Sequence, residues 1–153
     1  MPQSLAQIYL HIVFSTKHRK PFVQNETLCE NTHAYLAGAC KKLESPSLVV
    51  GGAGDHVHIL CRQSKNIALK TLIAELKRES SKWLKTQGSH MSEFYWQRGY
   101  GAFSISPSHV EALMNYIANQ REHHKTESFQ AEFRRLCKKR IPRVRGATLG
   151  FGV

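Results

Sequence analysis

Residues 48–60, Leu48-Val49-Val50-Gly51-Gly52-Ala53-Gly54-Asp55-His56-Val57-His58-Ile59-Leu60, decide the fold. Two β-rich apolar runs flank a glycine-rich turn, which predicts an antiparallel hairpin with a longer loop. Side chains alternate across a strand, so His56 and His58 project to one face while Val57 and Ile59 turn to the other. Two neutral imidazoles on one face are half of a site for a divalent metal and need at least a third ligand. The chain has nine histidines in 153 residues, so an H-x-H triplet also arises by chance. The rest of the sequence has to supply the context.

Upstream, 7–15 (QIYLHIVFS) reads as a strand that leaves into the cationic segment Thr16-Lys17-His18-Arg19-Lys20-Pro21-Phe22. Asn25-Glu26 caps a helix to about residue 43, and Ser45-Pro46 stops it before the hairpin. Downstream, Leu69, Leu72, Ile73, Leu76 and Trp83 recur at helical spacing over 67–85, with Lys70, Lys77, Arg78 and Lys85 on a separate basic arc. Aromatics and glycines alternate over 94–106, which predicts a strand bent at Gly99 or Gly101. Ser108 and Glu111 form a capping box that opens a helix to about residue 123, with Val110, Leu113, Met114 and Ile117 as its apolar stripe. A last amphipathic helix covers 129–139 before Pro142.

The order β-α-β-β-α-β is the split βαβ pattern. It predicts an α+β fold, a ferredoxin-like or RRM-like antiparallel sheet with helices mainly on one face. Residues 1–140 make one domain and 141–153 a basic C-terminal tail.

Lys and Arg number 22 against 11 Asp and Glu, a formal charge of +11. Such an imbalance favours polyanions, nucleic acid first. No apolar run approaches a membrane span, which removes the membrane alternative. Cys29, Cys40, Cys61 and Cys137 are scattered, without paired metal spacings and with no secretory leader ahead of them. They read as reduced, buried thiols of a cytoplasmic protein.

Tyr116 and Gln120 stand four residues apart on the expected 108–123 helix, a quarter turn from its apolar stripe. Residue by residue, Tyr116 fits an amphipathic rim and Gln120 a solvated position. Chemistry gives the pair a sharper use. A phenolate can attack a phosphodiester in line once a metal polarises it, and the phosphotyrosine product conserves the bond energy for rejoining. A simple hydrolase would deliver water and need no tyrosine.

Taken together, the His56-Val57-His58 strand, Tyr116-x-x-x-Gln120, the 96–104 segment (WQRGYGAFS) and the opening 12–22 segment (IVFSTKHRKPF) resemble the small single-tyrosine HUH transposases of bacterial insertion sequences, the REP-associated tyrosine transposase superfamily. The resemblance runs over about residues 5–137 in the expected order. It implies a metal-dependent enzyme that cuts and rejoins single-stranded DNA and recognises hairpin ends of its element. By position, His56, His58 and Gln120 would be ligands of Mg²⁺ or Mn²⁺, and Tyr116 the nucleophile forming a 5′-phosphotyrosine. It also implies a homodimer in which the tyrosine helix of one protomer can serve the histidines of the other. Lys17, Arg19, Lys20, Trp96, Arg98 and Tyr100 offer the cations and rings that single-stranded or hairpin DNA calls for. His11 and His33 read as structural. His123 and His124 follow Gln120 closely enough to compete as ligands or contact phosphate. The alternative function is a domesticated or inactive hairpin- or single-strand-binding protein of the same fold.

Overall fold

Alternation along the first strand sorts the molecule into layers. In the computed structural model, which describes residues 4–140, strand β1 (Tyr9–Ser15) sends Leu10, Ile12 and Phe14 into one core and Val13 into another. Strand β3 (His56–Arg62) does the same, with Val57, Ile59 and Cys61 in the first core and Leu60 on the opposite face. Between them in sequence come helix α1 (Glu26–Lys42) and strand β2 (Ser47–Ala53). Helix α2 (Leu69–Leu84) then leads towards strand β4 (Gly101–Ile105). The sheet order is β2-β3-β1-β4 with every neighbouring pair antiparallel, as two interleaved βαβ units require.

The first core is walled by Leu36, Ala39 and Cys40 of α1 and by Leu72, Ile73 and Leu76 of α2. The opposite face is covered by the C-terminal elements, α3 (Val110–Ala118), the single turn α4 (Gln120–His123) and α5 (Phe129–Arg140). These lie outside the βαββαβ order and add a second helical layer. α3 packs Leu113 and Ile117 on Leu60, and α5 packs Phe129, Phe133 and Cys137 on Val13 and Phe103. Two glycines set how closely these helices approach. A Cβ on Gly51 of β2 would stand 2.4 Å from the Ile117 carbonyl oxygen, and one on Gly101 of β4 would stand 2.6 Å from the Phe133 ring. The four cysteines are buried thiols, and no described helix is long and apolar enough to cross a membrane.

Two elements differ from the sequence reading. The 94–106 strand shrinks to β4, because the Trp96–Tyr100 stretch is held from the side. Lys77 Nζ donates to the carbonyls of Gln97 (2.8 Å) and Gly99 (2.7 Å), leaving one bridge, Thr16 to Trp96, to continue the sheet. The 108–123 helix starts later and is broken. Ser108 does not cap it; its hydroxyl lies near Ser106 and His109, and the chain enters α3 through a 3₁₀ turn at Pro107–His109. Asn119 then leaves helical geometry at φ −102°, ψ 21°, separating α3 from α4. By contrast Asn25 caps α1 as its side chain predicts, accepting from the Leu28 N–H at 3.0 Å. The expected basic tail, 141–153, lies outside the described residues.

Candidate metal centre and tyrosine

His56 and His58 are fully buried on the face of β3 that meets α3, α4 and α5. Their placement follows from register: His58 lies opposite Val13 and His56 opposite Ser15, so β1 holds the strand flat beneath the C-terminal helices. Each ring is oriented from behind. Asp55 Oδ1 stands 2.7 Å from His56 Nδ1, and His11 Nε2 lies 2.8 Å from His58 Nδ1 with the two rings stacked. Both Nε2 atoms therefore face the same space, as metal-binding histidines commonly do when their second nitrogen is engaged.

That space is closed by three side chains from the C-terminal layer. Gln120 Oε1 is 3.0 Å from His56 Nε2. Glu132 Oε1 is 2.8 Å from His58 Nε2 and 3.6 Å from His56 Nε2, and His124 Nε2 lies 3.1 Å from the same oxygen. His56, His58, His124 and Glu132 offer ligand atoms that all lie within 4.8 Å of one another. Three imidazoles and a carboxylate in a buried cluster are a donor set suited to a divalent metal.

Tyr116, on the last turn of α3, is tied into the same group. Its hydroxyl donates to Glu132 Oε2, which also accepts from Gln120 Nε2 at 3.0 Å. Arg135 Nη2 donates to the phenol oxygen at 2.8 Å and is itself held by Glu127. Burial, then the hydrogen bond to Glu132 and its charge, push the Tyr116 phenol up to about 12, with Arg135 and Gln120 acting the other way. Burial alone would raise the Glu132 carboxyl, but the adjoining His124, His58 and Tyr116 hold it well below the usual carboxylate range. His58 is pushed down to about 4, chiefly by burial and by the nearby His56, against the pull of Glu132. The resting site thus holds a carboxylate beside a neutral His58 ring and a protonated phenol.

The structure brings together His56, His58, Gln120 and Tyr116. It sets the other expected residues apart from them. Lys17 and Arg19 sit in a tight turn, where Lys17 Nζ lies 5.7 Å from the Tyr95 ring centre. With the Gln130 amide oxygen turned towards it, Arg19 donates to α5 at 3.1 and 3.2 Å. Lys20 Nζ stands over Phe22, at 5.5 Å. Trp96 is half-buried, packed edge-on against Phe14 and Phe94, and its indole N–H donates to Ser80 Oγ at 2.9 Å. Arg98 and Tyr100 are exposed beside a groove along α2. His33 Nε2 lies 3.6 Å from Cys29 Sγ.

Glu132 and Arg135 were not singled out by the sequence. A signal was available for the first. Glu132 shares the buried face of α5 with Phe129, Phe133, Leu136 and Cys137, and a carboxylate on an apolar stripe requires a buried partner. Gln120 and Tyr116 still converge although Asn119 breaks the helix between them, because both hydrogen-bond to Glu132.

A transposase from Deinococcus radiodurans R1, so assigned in its crystal structure, superposes with a TM-score of 0.61 at 17% identity, over 78% of this chain and 95% of that one. A REP-associated tyrosine transposase bound to a REP hairpin superposes with a TM-score of 0.58 at 9% identity, over 81% of this chain and 73% of that one. At those identities the likeness establishes the fold. Among curated proteins none matches the chain. The model of the IS200-like transposase family matches residues 4–120, which span the four strands, the paired histidines, Tyr116 and Gln120, and the chain belongs to that family.

Proposed function

We propose that this transposase cuts and rejoins single-stranded DNA with Tyr116 as nucleophile at a divalent metal held by His56 and His58, and that it recognises hairpin ends of its element. The observation that carries the reading is one shared carboxylate. Glu132 accepts the Tyr116 hydroxyl on one oxygen and stands 2.8 Å from His58 Nε2 on the other, so nucleophile and metal donors form a single connected group.

Mg²⁺ or Mn²⁺ would be held by the two histidines together with Gln120 or Glu132 and His124. When bound it supplies Lewis-acid polarisation of the scissile phosphate. The chain does the rest. Arg135 donates to the phenol oxygen and stabilises negative charge there. Glu132, the acceptor of the phenol proton, is positioned to carry that proton away as the oxygen closes on phosphorus. The new bond joins Tyr116 Oη to phosphorus, and the bond to the departing O3′ breaks. The departing strand takes a proton and leaves as a 3′-hydroxyl, while the 5′ phosphate stays on the tyrosine. Attack by a 3′-hydroxyl reverses the step and rejoins DNA without an external energy source. Within the chain Tyr116 stands beside its own histidines. A working homodimer, and exchange of the tyrosine helix between protomers, belong to the proposal.

The charge of +11 supports a polyanionic partner, and the hairpin bound by the REP-associated neighbour supports hairpin DNA in particular. The test is incubation of the purified protein with labelled single-stranded DNA from the flanks of its own gene and Mg²⁺ or Mn²⁺, read on a denaturing gel. A protease-sensitive shifted band that disappears in Tyr116→Phe is the expected result. Binding without any adduct in either cation would overturn strand transfer in favour of a DNA-binding protein of the same fold.

A further inference from the structure

A cavity of about 810 Å³ opens between β4, α3 and α5, with the Tyr116 ring at one end, a size within the ~300–1,000 Å³ range of ligand sites. Its wall carries Arg135, Lys139 and Arg140, and among the described residues no Asp or Glu lines it. Phe103, Ile105, Leu113 and Leu136 give it apolar lining. Arg140 lies over the Phe103 ring with its guanidinium carbon 5.7 Å from the centre, while its Nη1 atom is buried without a hydrogen-bond partner among the described residues. A buried guanidinium nitrogen with nothing to donate to is costly. An anion seated in the cavity would satisfy it.

We infer that this cavity is the seat of the single strand beside the phosphate that Tyr116 attacks, with Arg140 and Lys139 holding an adjoining backbone phosphate and the apolar lining carrying sugar and base. Arg135 marks the junction, since it lines the cavity and donates to the Tyr116 hydroxyl at 2.8 Å. Alternating cations and apolar surface suit a strand better than a free anion, because each nucleotide presents a phosphate and a stacking face together. The surface is distinct from the Trp96–Tyr100 groove, which lies along α2, on the opposite face of the sheet from the α3 and α5 layer. The strand's identity as DNA rests on the strand-transfer reading.

The test measures binding of 5′-fluorescein-labelled hexathymidylate and of a fully paired DNA hairpin to the full chain by anisotropy, without divalent metal. Three variants are compared. Arg140→Gln and Lys139→Gln remove cations, and Ala112→Trp fills the cavity from an exposed position on α3 without changing charge. Each cation removed should flatten the salt dependence of hexathymidylate binding by about 0.7 in log–log slope. Ala112→Trp should weaken hexathymidylate about tenfold while hairpin binding changes less than about twofold, since stacking and phosphate contacts are both blocked. Retained hexathymidylate affinity in Ala112→Trp, or equal losses for both probes in all three variants, would overturn the assignment. An adduct on Tyr116 combined with insensitive binding would reject the cavity and keep the chemistry. No adduct combined with sensitive binding would reject the chemistry and keep the cavity as a single-strand site.

Discussion

Tyr116 donates its hydroxyl proton to Glu132, and the same carboxylate stands within hydrogen-bond reach of His58 Nε2. One residue of α5 therefore controls both the nucleophile and the metal donors. Glu132→Gln keeps the shape and removes the charge. Metal affinity measured by calorimetry with Mn²⁺ should fall by at least about tenfold if Glu132 belongs to the donor set. The Tyr116 phenol should titrate below 12, since the Glu132 hydrogen bond and charge are among the causes that raise it. Ultraviolet titration of Glu132→Gln against Glu132→Gln/Tyr116→Phe isolates that phenol from the other tyrosines. Unchanged metal affinity would place Glu132 outside the donor set.

Removing one partner of a buried hydrogen bond to a carboxylate exposes the cost of the other. In the metal-free protein His58→Ala takes one hydrogen-bond partner from the buried Glu132 carboxylate, which should cost about 1–3 kcal/mol in urea unfolding. Adding Glu132→Gln should recover part of that loss, because the uncompensated charge is gone. Strict additivity of the two substitutions would show that they do not interact.

The pH dependence has a definite sign. Burial pushes His33 down to about 4, with Arg121 adding to it, and burial and His56 push His58 to about the same value. Between pH 6.5 and 4 the unfolded chain binds protons that these folded rings refuse. Their contribution to stability is therefore full above 6.5 and is lost as pH falls through about 4, by roughly 3 kcal/mol for each ring. Glu132, also depressed, extends the loss to lower pH. His124 opposes it, since burial lowers its pKa but Glu132 and Asp55 raise it overall. Urea midpoints of the metal-free protein should fall steadily from pH 7 to pH 4, and His33→Phe should flatten the curve. A midpoint that rises with acid would refute the account.

Where local rules act alone, the sequence was legible. Asn25 caps, the paired histidines share a face, and the strand order follows from the βαββαβ pattern. Where a distant residue decides, it was not. The 94–100 segment has strand composition, but its carbonyls at Gln97 and Gly99 go to Lys77 of α2, a side chain that the sequence placed on a solvated basic arc. Burial lowers the Lys77 pKa to about 8. The Ser108–Glu111 signature failed because Pro107 opens a 3₁₀ turn, putting His109 at the α3 cap position. Glu132 was missed for a related reason: its partners lie on β3, α3 and α4, and only tertiary packing brings them together.

Trp96 fits a stacking platform by composition, yet its ring is packed on Phe14 and Phe94 and its N–H is committed to Ser80. Trp96→Phe should cost about 1 kcal/mol for the lost hydrogen bond, more if Ser80 is left unpaired. Hairpin affinity per folded molecule should change less than about twofold, whereas Arg98→Ala, at an exposed cation, should weaken it and reduce its salt dependence. A large affinity loss in Trp96→Phe with unchanged stability would return the indole to the DNA surface.

Gly51 links strand register to the nucleophile. Its Cα faces the end of α3 so closely that an added Cβ would lie 2.4 Å from the Ile117 carbonyl and 2.8 Å from Cγ2 of the same residue. Neither atom can move independently, because the carbonyl belongs to the helix and Ile117 is fully buried against Leu60 and Leu113. Gly51→Ala must therefore push α3 off the sheet, costing about 1–3 kcal/mol as overpacking does. Tyr116 is the preceding residue, so the same displacement carries its hydroxyl away from Glu132 and the histidines. Adduct formation should fall about a hundredfold for a shift near 1 Å, well beyond the loss of folded protein. Equal declines in adduct and in folded fraction would show that Gly51 serves stability alone.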